Sequence, residues 1–206
     1  MATLGFTPAD FAVFSVDGFN ERMQQIYARV RPKLIRLGDE LAPVIASRLH
    51  MEFFPHVAKH ARRTVNPPPE TWAAFGPSPK GYKRFGYLAL CISGAGVHAR
   101  AVVKSEADMR PEMGRLLKAR GDQLAKAFNG TRIARYEKWN FHEMPAEVAA
   151  DTEFFSELGQ SLEKKTGGID VGFGWQASKA ARLDRDELID AFHELEPLYR
   201  LLRTVA

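Results

Sequence analysis

Residues 87–103 read YLALCISGAGVHARAVV. Tyr87 to Ile92 is a β-rich apolar run, Gly94-Ala95-Gly96 is a turn, and Val97 to Val103 is a return strand of similar character. Two such runs joined by a short Gly-rich turn predict a β-hairpin, and strands joined this tightly can only pair antiparallel. Cys91, the one cysteine, lies inside the apolar LALCIS run and reads as an inert core thiol. It excludes an intramolecular disulfide and a metal-binding cysteine pair.

After the hairpin, Ser105 to Phe128 predicts a helix with Met113, Leu116, Leu117, Leu124 and Phe128 inward, started near Pro111 and stopped by Asn129-Gly130. Arg132 to Trp139 predicts a strand, and a looser helical region begins at Pro145 and tightens at Phe154, Phe155, Leu158 and Leu162. Ile169, Val171, Phe173 and Trp175 alternate with polar residues and glycines, a strand with one buried face. Its glycines leave the other face open to close approach. Asp184 with Glu187 is a capping box that opens a closing helix, Leu188 to Leu202.

Before the hairpin, Met23, Ile26, Tyr27 and Val30 fall on one helical face, with Pro32 expected to end or kink the helix. A second helical run follows from Leu34 to Leu49, with Pro43 inside it. Phe53 to Thr64 reads as a strand that points His56, Ala58, His60 and Arg62 one way and Val57, Lys59, Ala61 and Arg63 the other. Prolines 67–69 then force a loop, Thr71 to Phe75 is a short strand, and Gly76 to Gly81 is a turn. The sum is an α+β chain, a largely antiparallel mixed sheet covered by helices, forming a single domain over 1–206.

At 206 residues the chain is long enough for a sizeable core. Its net charge of +4 is mildly basic and permits nucleic acid without arguing for it. No window approaches the length of uncharged apolar chain that crosses a membrane, and the opening residues carry no secretory pattern. A cytoplasmic location follows as the expectation.

The chemistry concentrates at His56–Arg84, HVAKHARRTVNPPPETWAAFGPSPKGYKR. Two basic clusters flank a Pro-rich loop and a short strand. Folded back on one another, Lys59, Arg62, Arg63, Lys80 and Lys83 would form a cationic pocket. Arginine would supply a bidentate fork for carboxylate or phosphate and lysine a point charge. Asn66 adds a hydrogen-bonding group, while Trp72 and Tyr82 offer stacking faces. His56 and His60 are the candidate proton donors or acceptors. As a metal pair they fail, because residues i and i+4 of a strand stand roughly 13 Å apart. The plainer account of the charges is a solvated face. No P-loop, GxSxG or complete dinucleotide fingerprint is present: Asp170-Val-Gly-Phe-Gly lacks the third glycine and the helix. Trp139, His142 and Glu143 form a polar-aromatic knot with acid–base groups, for which loop packing on the sheet is the simpler account.

The stretch HVAKHARRTVNPPPETWAAFGPSPKGYK, the opening FTPADFAVFSVDGFNERM and the closing Glu196-Pro-Leu-Tyr-Arg200 resemble the YktB-like family of uncharacterised bacterial proteins. The resemblance implies a topology similar to the catalytic domains of biotin–protein ligase and class II aminoacyl-tRNA synthetases. It makes Arg62 or Arg63, on a strand–loop–strand element, the counterpart of an arginine that grips ATP phosphate. It names no cofactor. The expected function is binding of an anionic small molecule, a nucleotide or phosphorylated metabolite. The alternatives are single-stranded nucleic acid, with bases on the aromatics, or a scaffold without a ligand.

Overall fold

A computed structural model describes residues 2–61 and 63–203. The predicted hairpin forms: β3 (Gly86–Ser93) and β4 (Gly96–Val103) pair antiparallel, with Ile92 opposite Val97 and Gly86 opposite Val103. Gly96 has φ 153°, and a Cβ there would lie 1.9 Å from the Trp175 carbonyl oxygen. Only glycine fits that corner. Every residue of both strands is buried, so the hairpin is covered on both faces.

Five further strands complete the sheet: β1 (Phe54–Val57), β2 (Glu70–Gly76), β5 (Arg132–Arg135), β6 (Glu147–Ala149) and β7 (Ile169–Gln176). Their spatial order is β1-β2-β3-β4-β7-β5-β6, and each neighbouring pair is antiparallel. The α+β class is therefore present in its antiparallel form.

The strand alternation sorts the sheet into two faces. Ala73, Phe75, Leu88, Leu90, Ile92, Val97, Ala99, Ala101, Val103 and Val171 belong to the main core. Helices cover this face: α3 (Arg31–Leu49) lies on β1 and β2, α6 (Thr152–Glu163) on β7, α8 (Arg185–Glu194) on β4 and α9 (Glu196–Arg203) on β3. Leu34, Leu37, Leu41, Ile45 and Leu49 form the stripe that α3 buries, each leucine contributing about 1.5–3 kcal/mol. Asp184 caps α8 by accepting from Glu187 N, as the capping-box reading predicts.

Several boundaries differ from the sequence reading. Pro32 does not end the helical arm. It sits in the first turn of α3, where its missing N–H costs nothing, and a π-helical turn over Ile26–Val30 joins α3 to α2 (Phe19–Gln25). The strand expected over 53–64 stops at Val57. Arg31 Nη1 donates to the Ala58 carbonyl at 2.6 Å and Tyr27 Oη to that of Lys59 at 2.9 Å. His60 then turns left-handed at φ 50°. The helix expected over 105–128 breaks at Arg120 into α4 (Arg110–Ala119) and α5 (Gly121–Phe128). The strand expected over 132–139 ends at Arg135, and the region from Pro145 opens with the short strand β6 before α6 begins behind its Asp151 cap.

Candidate functional site

The second face of the sheet carries the polar chemistry. It presents Trp72 and Ala74 from β2, Tyr87, Ala89 and Cys91 from β3, His98, Arg100 and Val102 from β4, and Asp170, Gly172 and Gly174 from β7. Loops cover it in place of helices. At its centre Arg100 lies between Ala89 and Gly172 on the neighbouring strands, so its long side chain has a floor of small residues. It is 1% exposed. Its Nη1 ion-pairs with Glu70 Oε2 at 2.8 Å and lies 3.6 Å from Asp170 Oδ2, while Lys104 Nζ reaches the same Asp170 oxygen at 3.2 Å. The Tyr136 ring covers the guanidinium at 3.8 Å.

This crowding moves the local titrations. Burial pushes the Glu70 carboxyl up, against the pull of Arg100. Burial works against the Arg100 cation, yet the neighbouring carboxylates hold it charged above its ordinary range. Burial and then Arg100 push His98 well down, so it is neutral, with Nε2 3.2 Å from Ser93 Oγ and Nδ1 3.3 Å from Tyr136 Oη. Burial raises the Cys91 thiol above its ordinary value, which leaves it protonated and poorly nucleophilic.

Towards the sheet edge this face meets the basic motif. Trp72 Nε1 donates to Tyr82 Oη at 2.9 Å, and the Tyr82 ring packs edge-on to Tyr87 and beside His56. His56 Nε2 is 2.8 Å from the Ser78 carbonyl oxygen. That partner can only accept, so the proton sits on Nε2. His60 Nε2 lies 3.0 Å from Thr71 Oγ1, and its ring stands edge-on to Trp72. Burial first, then the charges of Arg63, Arg31 and Lys83, push the His60 pKa down to about 4. His60 is neutral at physiological pH, and three cations lie near enough to bias it.

A groove of about 430 Å³ runs between α3 and the outer edge of β1, lined by Arg31, Asp39, His56, Lys59 and Tyr82 among others. Of the motif it gathers His56, Lys59 and Tyr82. Arg63 and Asn66 stand together in the exposed loop, Arg63 Nη1 reaching the Asn66 carbonyl at 3.5 Å. Lys80 is exposed on the following turn. Lys83 lies 3.9 Å from Glu106 and Arg84 pairs with Asp108 at 2.5 Å. Arg62 lies outside the described residues. The motif's charges are thus split between the groove, the loop rim and two acids after β4.

The sequence reading missed Arg31, Glu70, Arg100, Lys104 and Asp170 as site residues. A signal for Arg100 was present: in VHARAVV the residues alternate strictly, with His98 and Arg100 on the face opposite Val97, Ala99 and Ala101. Charge in mid-strand, beside Gly172 and Gly174, marks a buried polar face rather than a solvated edge. Among the described residues no group of three or more His, Cys, Asp and Glu is placed to hold a metal ion, and no helix is long and apolar enough to cross a membrane.

A family model described as a domain of unknown function, DUF1054, matches residues 6–199. A UPF0637 protein of Bacillus velezensis is 32% identical over 215 residues, covering 100% of both chains. One of Lysinibacillus sphaericus is 31% identical over 98% of this chain and 97% of its own. One of Bacillus licheniformis is 40% identical over 118 residues, 57% of this chain and 56% of its own.

Proposed function

The chain belongs to the bacterial DUF1054 family, and we propose that it binds an anionic small molecule, a nucleotide or phosphorylated metabolite, in the groove between α3 and β1. One observation carries this reading. Arg31 and Lys59, neither paired with a carboxylate among the described residues, line a 430 Å³ concavity together with His56 and Tyr82. The volume suits a small metabolite.

In this reading Arg31 holds its position through the Ala58 carbonyl and offers its remaining N–H groups to an anion. Lys59 adds a point charge, and His56 presents Nδ1 as an acceptor. Tyr82, fixed by Trp72, gives a ring edge for stacking. In this reading Arg63, Asn66 and Lys83 add an outer polar rim on the following loops. Arg63, Arg31 and Lys83, whose charges add to burial in lowering the His60 pKa, support a positive field at this edge. The likeness to the biotin–protein-ligase and class II synthetase catalytic domains belongs to the same proposal. It is supported by an antiparallel sheet with helices on one face and by Arg63 on the loop between two paired strands. The reading takes the chain as one domain acting in the cytoplasm.

The test is titration calorimetry with ADP and with inorganic pyrophosphate at two salt concentrations. Losing charged hydrogen bonds costs about 1.5–3 kcal/mol each, so Arg31→Ala combined with Lys59→Ala should weaken binding at least about tenfold. Lys80→Ala should change it little. Equal affinity in the double variant overturns the groove. Preferential binding of a single-stranded oligonucleotide, with a steep fall in affinity as salt rises, would establish the nucleic-acid alternative in its place.

A further inference from the structure

The groove leaves the centre of the polar face unexplained. Arg100 Nε and Nη2 are both buried and have no hydrogen-bond partner among the described residues. These two atoms form the side edge of the guanidinium, where two N–H groups point in parallel, the geometry that receives a carboxylate bidentately. Nη1 is engaged by Glu70 and Asp170. Leaving such donors unpaired carries their full desolvation cost, and unpaired buried groups of this kind call for a specific account. The cavity at Arg100, lined also by Trp72, Lys104 and Asp170, measures about 10 Å³, room for about one water.

The covering loop supplies the way in. Trp139 stacks at 5.2 Å from the Arg100 guanidinium carbon and packs on His98. The same Trp139 lines a cleft of about 710 Å³ on its outer side. Among the described residues, the hydrogen bonds of residues 137–144 stay within 135–143. Trp139 N donates to the Tyr136 carbonyl, Trp139 Nε1 to that of Glu143, and His142 N and Glu143 N to Asn140 Oδ1. The loop is held to the sheet by the Arg135–Glu137 ion pair at its start and beyond that by side-chain packing, Trp139 on His98 and Met144 over Gly174. Swinging Trp139 aside therefore breaks no hydrogen bond to the rest of the fold, and Trp139 is the residue shared by the cleft and the packing on the guanidinium.

We propose that Arg100 is the anchor of a second ligand site, which binds the carboxylate group of a small organic acid through Nε and Nη2, with Trp139 as its gate. The site is distinct from the groove beside β1 and does not rest on it. A planar carboxylate fits because the Tyr136 ring lies 3.8 Å over the guanidinium. A ligand in the guanidinium plane clears that ring, whereas a tetrahedral phosphate projects oxygens out of the plane. Glu70 and Asp170 face Arg100 and Lys104, and the other titratable groups nearby, Tyr87, Cys91, His98 and Tyr136, are held neutral by burial.

The experiment is ligand-observed NMR and calorimetry on the whole chain with acetate, benzoate and inorganic phosphate as probes. Saturable binding of a carboxylate is expected, at least tenfold weaker in Arg100→Lys, which keeps the charge and removes the fork. Trp139→Ala keeps Arg100 and should speed association several-fold, so the site stays testable even if Arg100→Lys loses stability. Arg31→Ala with Lys59→Ala should leave carboxylate affinity unchanged, which separates this site from the groove. No saturable carboxylate binding to the folded wild type overturns the proposal. So does phosphate binding equal to carboxylate in the Arg31→Ala, Lys59→Ala variant, where the groove no longer contributes, or unchanged exchange rates in Trp139→Ala.

Discussion

His60 shows how one residue records its surroundings. Its imidazole is partly buried against Trp72, and Arg63, Arg31 and Lys83 repel a proton on it. The pKa falls from 6.5 to about 4. A base with a lowered folded-state pKa contributes stability that is complete above 6.5. It is lost as pH falls towards 4, because the unfolded chain takes a proton the folded one refuses. His60→Asn keeps the left-handed backbone that φ 50° requires and removes this titration. Urea unfolding at pH 7 and pH 4.5 should show the wild type losing about 1–2 kcal/mol more than the variant, after discounting for solvent screening. Equal losses would show that the three cations do not act on His60. At this scale the sequence is unevenly legible. A dense basic run is conspicuous, so 56–84 stood out. Arg100 is a single charge inside an apolar hairpin, and only the pairing of β4 with Ala89 and Gly172 shows why it fits there.

At the scale of elements, the hairpin, the β7 alternation and the α8 cap were legible because each is a local pattern with its own turn or cap chemistry. The break at Arg120 was not. Met113, Leu117, Leu124 and Phe128 continue one apolar stripe through it, and the cause lies across the fold. Gly114 of α4 and Gly159 of α6 face each other so closely that a Cβ on either would lie 2.6 Å from the other's carbonyl oxygen. α4 must sit backbone to backbone on α6 there, while α5 turns to meet the same helix further along, with Gly121 near Thr152 and Phe155. A glycine inside a helix ordinarily costs about 1 kcal/mol relative to alanine, so alanine would stabilise an unpacked helix. Here Gly159→Ala should destabilise the protein by about 1–3 kcal/mol through overpacking, read as a lower denaturant midpoint with an unchanged slope. Gly130→Ala makes the control, since it strains φ 79° but meets nothing within 4 Å. A neutral or stabilising Gly159→Ala would mean that the helices are further apart than described.

For the whole molecule, the two faces of one sheet do different work. The helical face holds the fold, with a core running from Leu4 to Leu202. The loop-covered face holds the ionised cluster, whose carboxylates and cations offset each other and contribute little net stability. The strand alternation carries this division in the sequence. Which loops close the second face is set by contacts between segments far apart in the chain, such as Met144 over Gly174 and Trp139 on His98, and no local pattern announces them. The division predicts an order of opening. β3 and β4 lie at the centre of the sheet, buried along their whole length. β6 is an edge strand with every residue exposed, and β1 is the opposite edge, partly exposed throughout. Amide hydrogen exchange should therefore be slowest in 87–92 and 97–103, at the free energy of global unfolding, and fastest among strands in 147–149. Residues 137–144, held by packing and by hydrogen bonds within the loop, should exchange faster than β5 and β7 beside them. If that loop instead exchanged as slowly as β4, it would be part of the rigid sheet, and no ligand could reach Arg100 by moving Trp139.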